Sequence, residues 1–495
     1  MLLLGYDIGS SSIKGSVVDA ATGRLVASAV SPEQELPIDA PKPGWAEQSP
    51  ELWWKHVKIV TAKLLENDGV EAEAIDAIGI SYQMHGLVLI DENQQVLRPS
   101  IIWCDGRAVE IGDGALNKLG REYCLEHYLN SPGNFTASKL RWVIENEPEL
   151  YKKVYKFMLP GDYIGMKLTG EVVTTFSGLS EGILWDYTTG DIARELLGIY
   201  DISEELIPDL YPNFSEHGTL SAKAASELGL KSGTKVSYRA GDQPNNALSL
   251  NVLNPGEMAS TAGTSGVIYG VTDKPAYDEK SRVNTFIHVN HETDKPRYGV
   301  LLCINGTGIQ NSWIKSRLLQ NRLTYDTMNE FAAGIPVGSE GVTILPFGNG
   351  PERCLENREI GGQILGIDFN RHTEQHVIRA AQEGIAFSFN YGFKIMKEMG
   401  LDADKIRVGL TNMFLSPVFT EAFTNTTGVA VERYQTDGSQ GAAIGAGIGA
   451  GIFENREDAF ASLKLVDTVE PDKELQKQYR EAYHRWEETL NSLIH

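Results

Sequence analysis

What this chain lacks narrows its function before any motif is read. No run of apolar residues is long enough to span a bilayer. The first five residues are apolar but stop at Asp7, with no basic segment and no cleavage site, so no secretory signal is expected and a cytoplasmic protein is. Positive charge is scarce: 44 Lys and Arg stand against 66 Asp and Glu, a formal net charge of -22. Such a chain is a poor partner for nucleic acid or an anionic membrane. A site for a polyanion must then be built locally, from backbone N–H groups, a few cations or a metal. Cysteine is scarce too. Cys104, Cys124, Cys303 and Cys354 lie far apart without metal-ligand spacing and read as reduced thiols. The P-loop run G-x-x-x-x-G-K-[ST] is missing. Residues 445–450 fit G-x-G-x-x-A, but no strand precedes them and small residues recur throughout 442–451, so close helix packing is the better reading. His372 and His376 lack the H-E-x-x-H order and read as a solvated helix face.

What is present suits two large domains. The chain has 495 residues, too many for one ordinary core, and its 42% hydrophobic content is that of a globular protein. Almost at the midpoint, residues 234–238 alternate as a strand does, Gly241 and Asp242 follow, and 245–250 can open a helix. A carboxylate in such a turn can take a proton from a bound hydroxyl. Asp is also common as a helix cap, so the turn alone leaves both roles open.

Near the start, strands are predicted at 2–6, 13–18 and 24–30, with Asp7-Ile8-Gly9-Ser10-Ser11-Ser12 between the first two. A turn rich in hydroxyls and N–H groups can cradle phosphate, and it can also be an ordinary hairpin turn. Ser49-Pro50 begins a helix whose apolar residues keep helical spacing from Leu52 to Leu65. A buried strand over 75–81 breaks out at Gln83-Met84-His85-Gly86, where His85 can meet a ligand. Residues 101–107 are predicted to form a strand ending in Asp105 and Arg107, charges of the kind that bind ligands at a sheet edge. Residues 109–232 read as mostly helical, with Lys139 to Trp142 on a helix face. Past Asp242 the opening pattern recurs. Gly263-Thr264-Ser265-Gly266 leads into a strand closed by Asp273, as Gly9-Ser10-Ser11-Ser12 leads to Asp19. Two related halves, each offering a hydroxyl turn to one polyphosphate, explain the recurrence, as do two unrelated hairpins. Further on, helices are predicted over 306–319 and 373–399, with a strand at 406–410.

Six segments, in order, resemble the FGGY carbohydrate kinases and, within them, the xylulokinases: residues 7–10, 83–86, 103–107, 241–243, 262–266 and 441–443. The resemblance spans nearly the whole chain, and Gln83-Met84-His85-Gly86 points to D-xylulose. It implies an α/β protein of actin-like, ribonuclease H-like fold, with domains at 1–243 and 244–495 and ATP in an interdomain cleft that closes on sugar. It implies ATP-dependent phosphorylation of D-xylulose to D-xylulose 5-phosphate, in pentose catabolism, with magnesium. By resemblance Asp242 is the catalytic base, and Gln83, Met84, His85, Asp242 and Gln243 contact the sugar. Ser10, Ser11, Ser12 and Thr264 hold phosphates, Gly306, Gln310, Gly409 and Asn412 line the nucleoside, and Asp7 positions magnesium through water. Homodimers are common in that family, though no residue here argues for one. The chain departs from the pattern at Ser10 (usually Thr), Gln243 (often Asn), Asn134, and residues 408–412, where many xylulokinases carry a glycine run. Another ketose such as L-ribulose or L-xylulose, an actin-like ATPase without sugar chemistry, and a non-enzymatic sugar sensor are the alternatives.

Overall fold

The computed structural model describes residues 1–494. The elements that build its sheets and frame the site follow in chain order. They begin with β1 (Leu2–Ile8), β2 (Ile13–Asp19), β3 (Leu25–Ser31), α1 (Pro50–Leu65), β4 (Ile75–Tyr82), α2 (Thr136–Asn146), α3 (Phe176–Glu181), β5 (Lys235–Gly241) and α4 (Asp242–Ser249). They continue with β6 (Met258–Ala262), β7 (Gly266–Thr272), β8 (Tyr298–Ile304), α5 (Gly308–Trp313), β9 (Thr343–Phe347), β10 (Gly361–Leu365) and α6 (Glu374–Glu398). Last come β11 (Lys405–Gly409), β12 (Ala430–Tyr434), α7 (Gly438–Gly449), β13 (Leu465–Val469) and α8 (Lys473–Ile494).

The chain forms two compact units. The first comprises Met1–Leu253, Phe286–Tyr298 and Thr436–Leu463; the second comprises Asn254–Thr285, Gly299–Gln435 and Lys464–His495. The 243/244 division expected from sequence falls inside the first unit, within α4.

The first unit holds a five-stranded sheet in the order β5-β4-β1-β2-β3. β1 runs antiparallel to β2 and parallel to β4, and β4 is parallel to β5. Buried on both faces, β1 reads as a continuous apolar run, as a central strand must. On one face, α1 buries Trp53, Val57, Val60 and Leu64, the helical spacing seen in the sequence. Against the other lies α7. A β-carbon on Gly5 would sit 2.0 Å from the Ser439 carbonyl oxygen, and one on Gly79 would sit 2.0 Å from that of Ala442. The small residues of 442–451 therefore do serve close packing, and their partners are the glycines of β1 and β4.

In the sheet of the second unit β8, β7, β6, β11, β12 and β13 lie side by side. β6 is antiparallel to β7 and parallel to β11, and β11 is parallel to β12. This repeats the β2-β1-β4-β5 arrangement, so the two hydroxyl turns predicted from sequence occupy equivalent hairpins of equivalent sheets. Its largest helix, α6, is buried along most of its length.

One predicted helix face is corrected. His376 is buried, not solvated: it stands at the third position of α6, where its Nδ1 accepts the Thr373 N–H at 3.1 Å, completing a capping box. Lys139 on α2 is fully buried, because its ammonium finds two carbonyls in the interior. The predicted strand over 101–107 is only Ser100–Ile101. Beyond it, Asp105 folds back onto Arg107 through contacts of 2.7–3.0 Å.

The packing of α7 leaves no space for a methyl group at residue 79. Gly79→Ala is expected to lower stability to urea by about 1–3 kcal/mol or more. An unchanged unfolding midpoint would contradict the close approach.

Candidate functional site

Three neighbouring parallel strands end in register. Ile8 of β1 pairs with Tyr82 of β4, which pairs with Gly241 of β5. The residues at and just past these ends therefore gather at one edge: Asp7 to Ser12, Gln83 to His85, and Asp242 with Gln243. The carboxyl ends of parallel strands are where open α/β sheets bind ligands. Lys235–Gly241 passes directly into Asp242–Ser249, so Asp242 is the first helical residue and Gly241 takes the cap position.

The edge is crowded with acid. Ser81 Oγ donates to Asp7 Oδ1 at 3.0 Å. Gln243 Nε2 donates to Asp242 Oδ2 at 3.2 Å. Burial, reinforced by the charge of Asp7, pushes the Asp242 carboxyl up to about 7. Burial also raises Asp7; Lys14 and Ser81 oppose the rise, and Asp437 adds to it. Asp437 caps α7, its Oδ1 accepting the Gln440 N–H at 3.0 Å. A β-carbon on Gly438 would lie 2.8 Å from Asp7 Oδ2 and 3.2 Å from Asn246 Oδ1. The start of α7 thus abuts both the Asp7 carboxylate and α4. Asp437 escaped the sequence reading, although Asp-Gly-Ser before a helix of small residues is an N-cap signature.

The 83–85 turn is gripped from several sides. Gln83 donates its N–H to the Ile8 carbonyl at 2.9 Å, and its amide nitrogen to Gln48 Oε1 at 3.4 Å. Both Gln83 and Met84 are buried. His85 has φ +62°, a left-handed conformation that costs a non-glycine residue roughly 1–2 kcal/mol. Its neighbours hold it there. The His85 N–H donates to Glu181 Oε1 at 3.2 Å, and its Nδ1 donates to the Glu181 carbonyl at 3.0 Å, since a carbonyl only accepts. The His85 carbonyl accepts Lys139 Nζ at 2.9 Å. Burial pushes Lys139 down to about 8, with Asp105 opposing. The rings of Phe135 and Phe286 pack against the imidazole, at centroid distances of 4.8 and 5.4 Å. Glu181 escaped the sequence reading, and Lys139 entered it only as part of a helix face, because spacing alone does not show that a charged residue turns inward.

The hydroxyl turn of the first unit is partly exposed at Ser10, Ser11 and Ser12. Gly9 donates its N–H to the Ser12 carbonyl at 3.1 Å, the Ser10 carbonyl accepts Gln48 Nε2 at 2.7 Å, and the Ser11 carbonyl accepts the Leu36 N–H at 2.8 Å. Trp103 Nε1 donates to Ser10 Oγ at 3.3 Å. Asp105 and Arg107, expected as ligand-binding charges, satisfy one another, with Arg107 also on Glu47 at 2.7 Å and over the Trp45 ring.

In the second unit, the turn at Gly263 and Thr264 docks on the start of α5. Gly308 and Ile309 donate their N–H groups to the Gly263 and Thr264 carbonyls at 2.8 and 3.1 Å. A β-carbon on Gly306 would meet the Pro346 carbonyl oxygen at 1.4 Å, so only glycine fits. The neighbouring loop is held from beneath by Glu352, fully buried, whose two oxygens accept the Asn305 N–H at 3.0 and 3.2 Å. Gln310 Nε2 is tied to the Ala381 carbonyl of α6 at 3.1 Å. Gly306, Gln310, Trp313, Pro346, Asn349 and Gln363 border a cavity of about 360 Å³. Gly409 ends β11, and Asn412 takes φ +52°, a conformation that Asn tolerates better than most side chains. That is how residues 408–412 turn without a glycine run. Asn412 also lies near Gly263: a β-carbon there would be 3.5 Å from its Nδ2.

Both halves of the chain match known proteins. Residues 2–249 match the N-terminal domain of the FGGY family of carbohydrate kinases, and residues 258–452 match its C-terminal domain. A xylulose kinase of Bacillus subtilis is 30% identical over 92% of this chain and 90% of its own length. An L-xylulose/3-keto-L-gulonate kinase of Escherichia coli is also 30% identical, over 99% of this chain and 97% of its own. The crystal structure of a xylulose kinase from Rhodospirillum rubrum superposes with a TM-score of 0.85 at 25% identity, covering 100% of this chain and 99% of that one. The chain belongs to the FGGY family of carbohydrate kinases and is a sugar kinase that uses ATP.

Proposed function

We propose that the protein transfers the γ-phosphoryl group of ATP to the terminal hydroxyl, O5, of D-xylulose, with Asp242 as the base. The observation that carries this reading is a carboxyl poised near 7 at a strand end, beside the gripped His85 turn. As the sugar oxygen bonds to the γ-phosphorus, the bond from phosphorus to the bridging oxygen of ADP breaks, and Asp242 takes the hydroxyl proton. Gln83, Met84, His85 and Gln243 join Asp242 in holding the sugar. Ser10, Ser11, Ser12 and, in the second unit, Thr264 hold phosphates. Gly306, Gln310, Gly409 and Asn412 line the nucleoside, for which the cavity beside Gly306 offers an apolar wall of Trp313 and Pro346.

The acid-rich edge fits a divalent cation. Asp7 is raised by burial and by Asp437, and the cation acting on it is Lys14. Asp7 would position magnesium there through water. The ion would neutralise charge on the phosphates. A second reading, a different ketose, is favoured by the relative that acts on L-xylulose and 3-keto-L-gulonate, at the same 30% identity.

ADP release coupled to a reporter enzyme decides the substrate, with D-xylulose, L-xylulose, L-ribulose, 3-keto-L-gulonate, glycerol and no sugar compared. D-xylulose is expected to give the highest kcat/KM, and a higher value for any other sugar overturns the choice. Asp242→Asn is expected to lower kcat about 10²–10⁴-fold with ATP affinity unchanged, in single-turnover and binding assays. Full turnover in that variant would remove the base. Because the base acts when deprotonated, kcat/KM for the sugar should be level above about pH 7 and fall tenfold per unit below it. Raising magnesium should move that limb to lower pH, since a cation beside Asp7 offsets the like charge. A profile flat to pH 5 at low magnesium would contradict the raised carboxyl.

A further inference from the structure

The sugar side of the site contains a carboxyl that the reading above leaves without a role. Glu181 is the last residue of α3 and is 1% exposed. It touches the site twice over. Its Oε1 and its main-chain carbonyl take the two His85 hydrogen bonds, at 3.2 and 3.0 Å. Its Oε2 lies against Gly241, and the Tyr82 hydroxyl also bears on the carboxyl. A β-carbon on Gly241 would come 2.6 Å from Oε2 and 2.5 Å from Met84 Cγ. Glu181 and Met84 therefore both abut the peptide that delivers Asp242.

These contacts define what Glu181 can do. Its carboxyl is engaged with the His85 N–H and lies against the Gly241 peptide. It bears on two things a substrate must meet: the left-handed His85 turn and the start of α4. Its side chain spans from one to the other, so the spacing of His85 and Asp242 depends on its length. Burial chiefly, with the charges of Asp242 and Asp162, raises the carboxyl well above its ordinary range. A neutral group satisfies these contacts, and an amide of the same shape should too.

We propose that Glu181 is a positioning residue for the sugar: it holds the Met84–His85 turn in register with Gly241 and Asp242, so that the sugar hydroxyl meets the base. This rests on the reading of residues 83–85 as the sugar side and of Asp242 as the base. A displacement of about 1 Å in such a site can cost on the order of 10²-fold in rate.

The test compares Glu181→Gln, Glu181→Asp and Glu181→Ala with the wild type, using whichever sugar the wild type phosphorylates best. The Gln variant should keep KM for sugar and kcat within about twofold, because it keeps both length and acceptor. The Ala variant should raise KM for sugar or lower kcat by about 10–100-fold, leave KM for ATP unchanged, and hydrolyse more ATP per sugar phosphorylated. The Asp variant, shorter by one methylene, should move in the same direction by less, and it decides the matter if the Ala variant does not fold. Unchanged sugar kinetics in both shortened variants overturns the proposal. So does a loss in which KM for ATP rises in parallel with KM for sugar, the mark of general damage. A preference for another sugar corrects the substrate and leaves this comparison intact. Full turnover in Asp242→Asn, with sugar affinity still lost in Glu181→Ala, removes the base and keeps the positioning role.

Discussion

The structure depends on keeping carboxyls close together at the ends of three parallel strands. Like charges in a partly buried edge raise one another's proton affinity, and burial adds to the effect. Burial first, and the Asp7 charge second, raise the Asp242 carboxyl, and the charge of Asp437 adds to the rise at Asp7. Apart from its environment, a carboxylate is a weak base at neutral pH. Here the sheet register fixes where each carboxyl stands, and the glycines of β1 and β4 let α7 bring Asp437 alongside. The same close packing therefore supports both the fold and the reactivity of the edge.

The opposite flank of Asp242 is built differently. Around His85 the chain holds a strained turn through an ammonium, a buried carboxyl and two aromatic rings. Strain of this kind persists where surrounding contacts over-determine it, and it collects at ligand sites. Lys139 and Glu181 are both buried ionisable residues, and both meet the His85 backbone. The acid edge and the His85 turn meet at Gly241, where a side chain would strike both Met84 and Glu181.

Much of this was legible in the sequence. Apolar runs marked β1 and β4, and helical spacing marked α1. The repeated Gly-hydroxyl turns marked two hairpins that the structure places in equivalent sheets. Asp7, His85 and Asp242 stood out because each follows or closes a strand. What stayed hidden depends on contacts distant in sequence. Small residues in 442–451 announced a close approach without naming Gly5 and Gly79 as its object. Lys139, Glu181 and Glu352 carry charges that pattern reading assigns to solvent, and only the fold supplies the carbonyls and N–H groups that draw them inward. The return of Thr436–Leu463 to the first unit leaves no local mark at all.

The central claim is that Asp242 accepts the proton of the hydroxyl that becomes phosphorylated. A crystal structure with the preferred ketose and a non-hydrolysable ATP analogue tests this most directly, through the distance from the Asp242 carboxylate to the sugar's terminal oxygen. The account predicts hydrogen-bond contact, about 2.6–3.2 Å. A terminal hydroxyl turned away from Asp242, with another side chain in that contact, would contradict it.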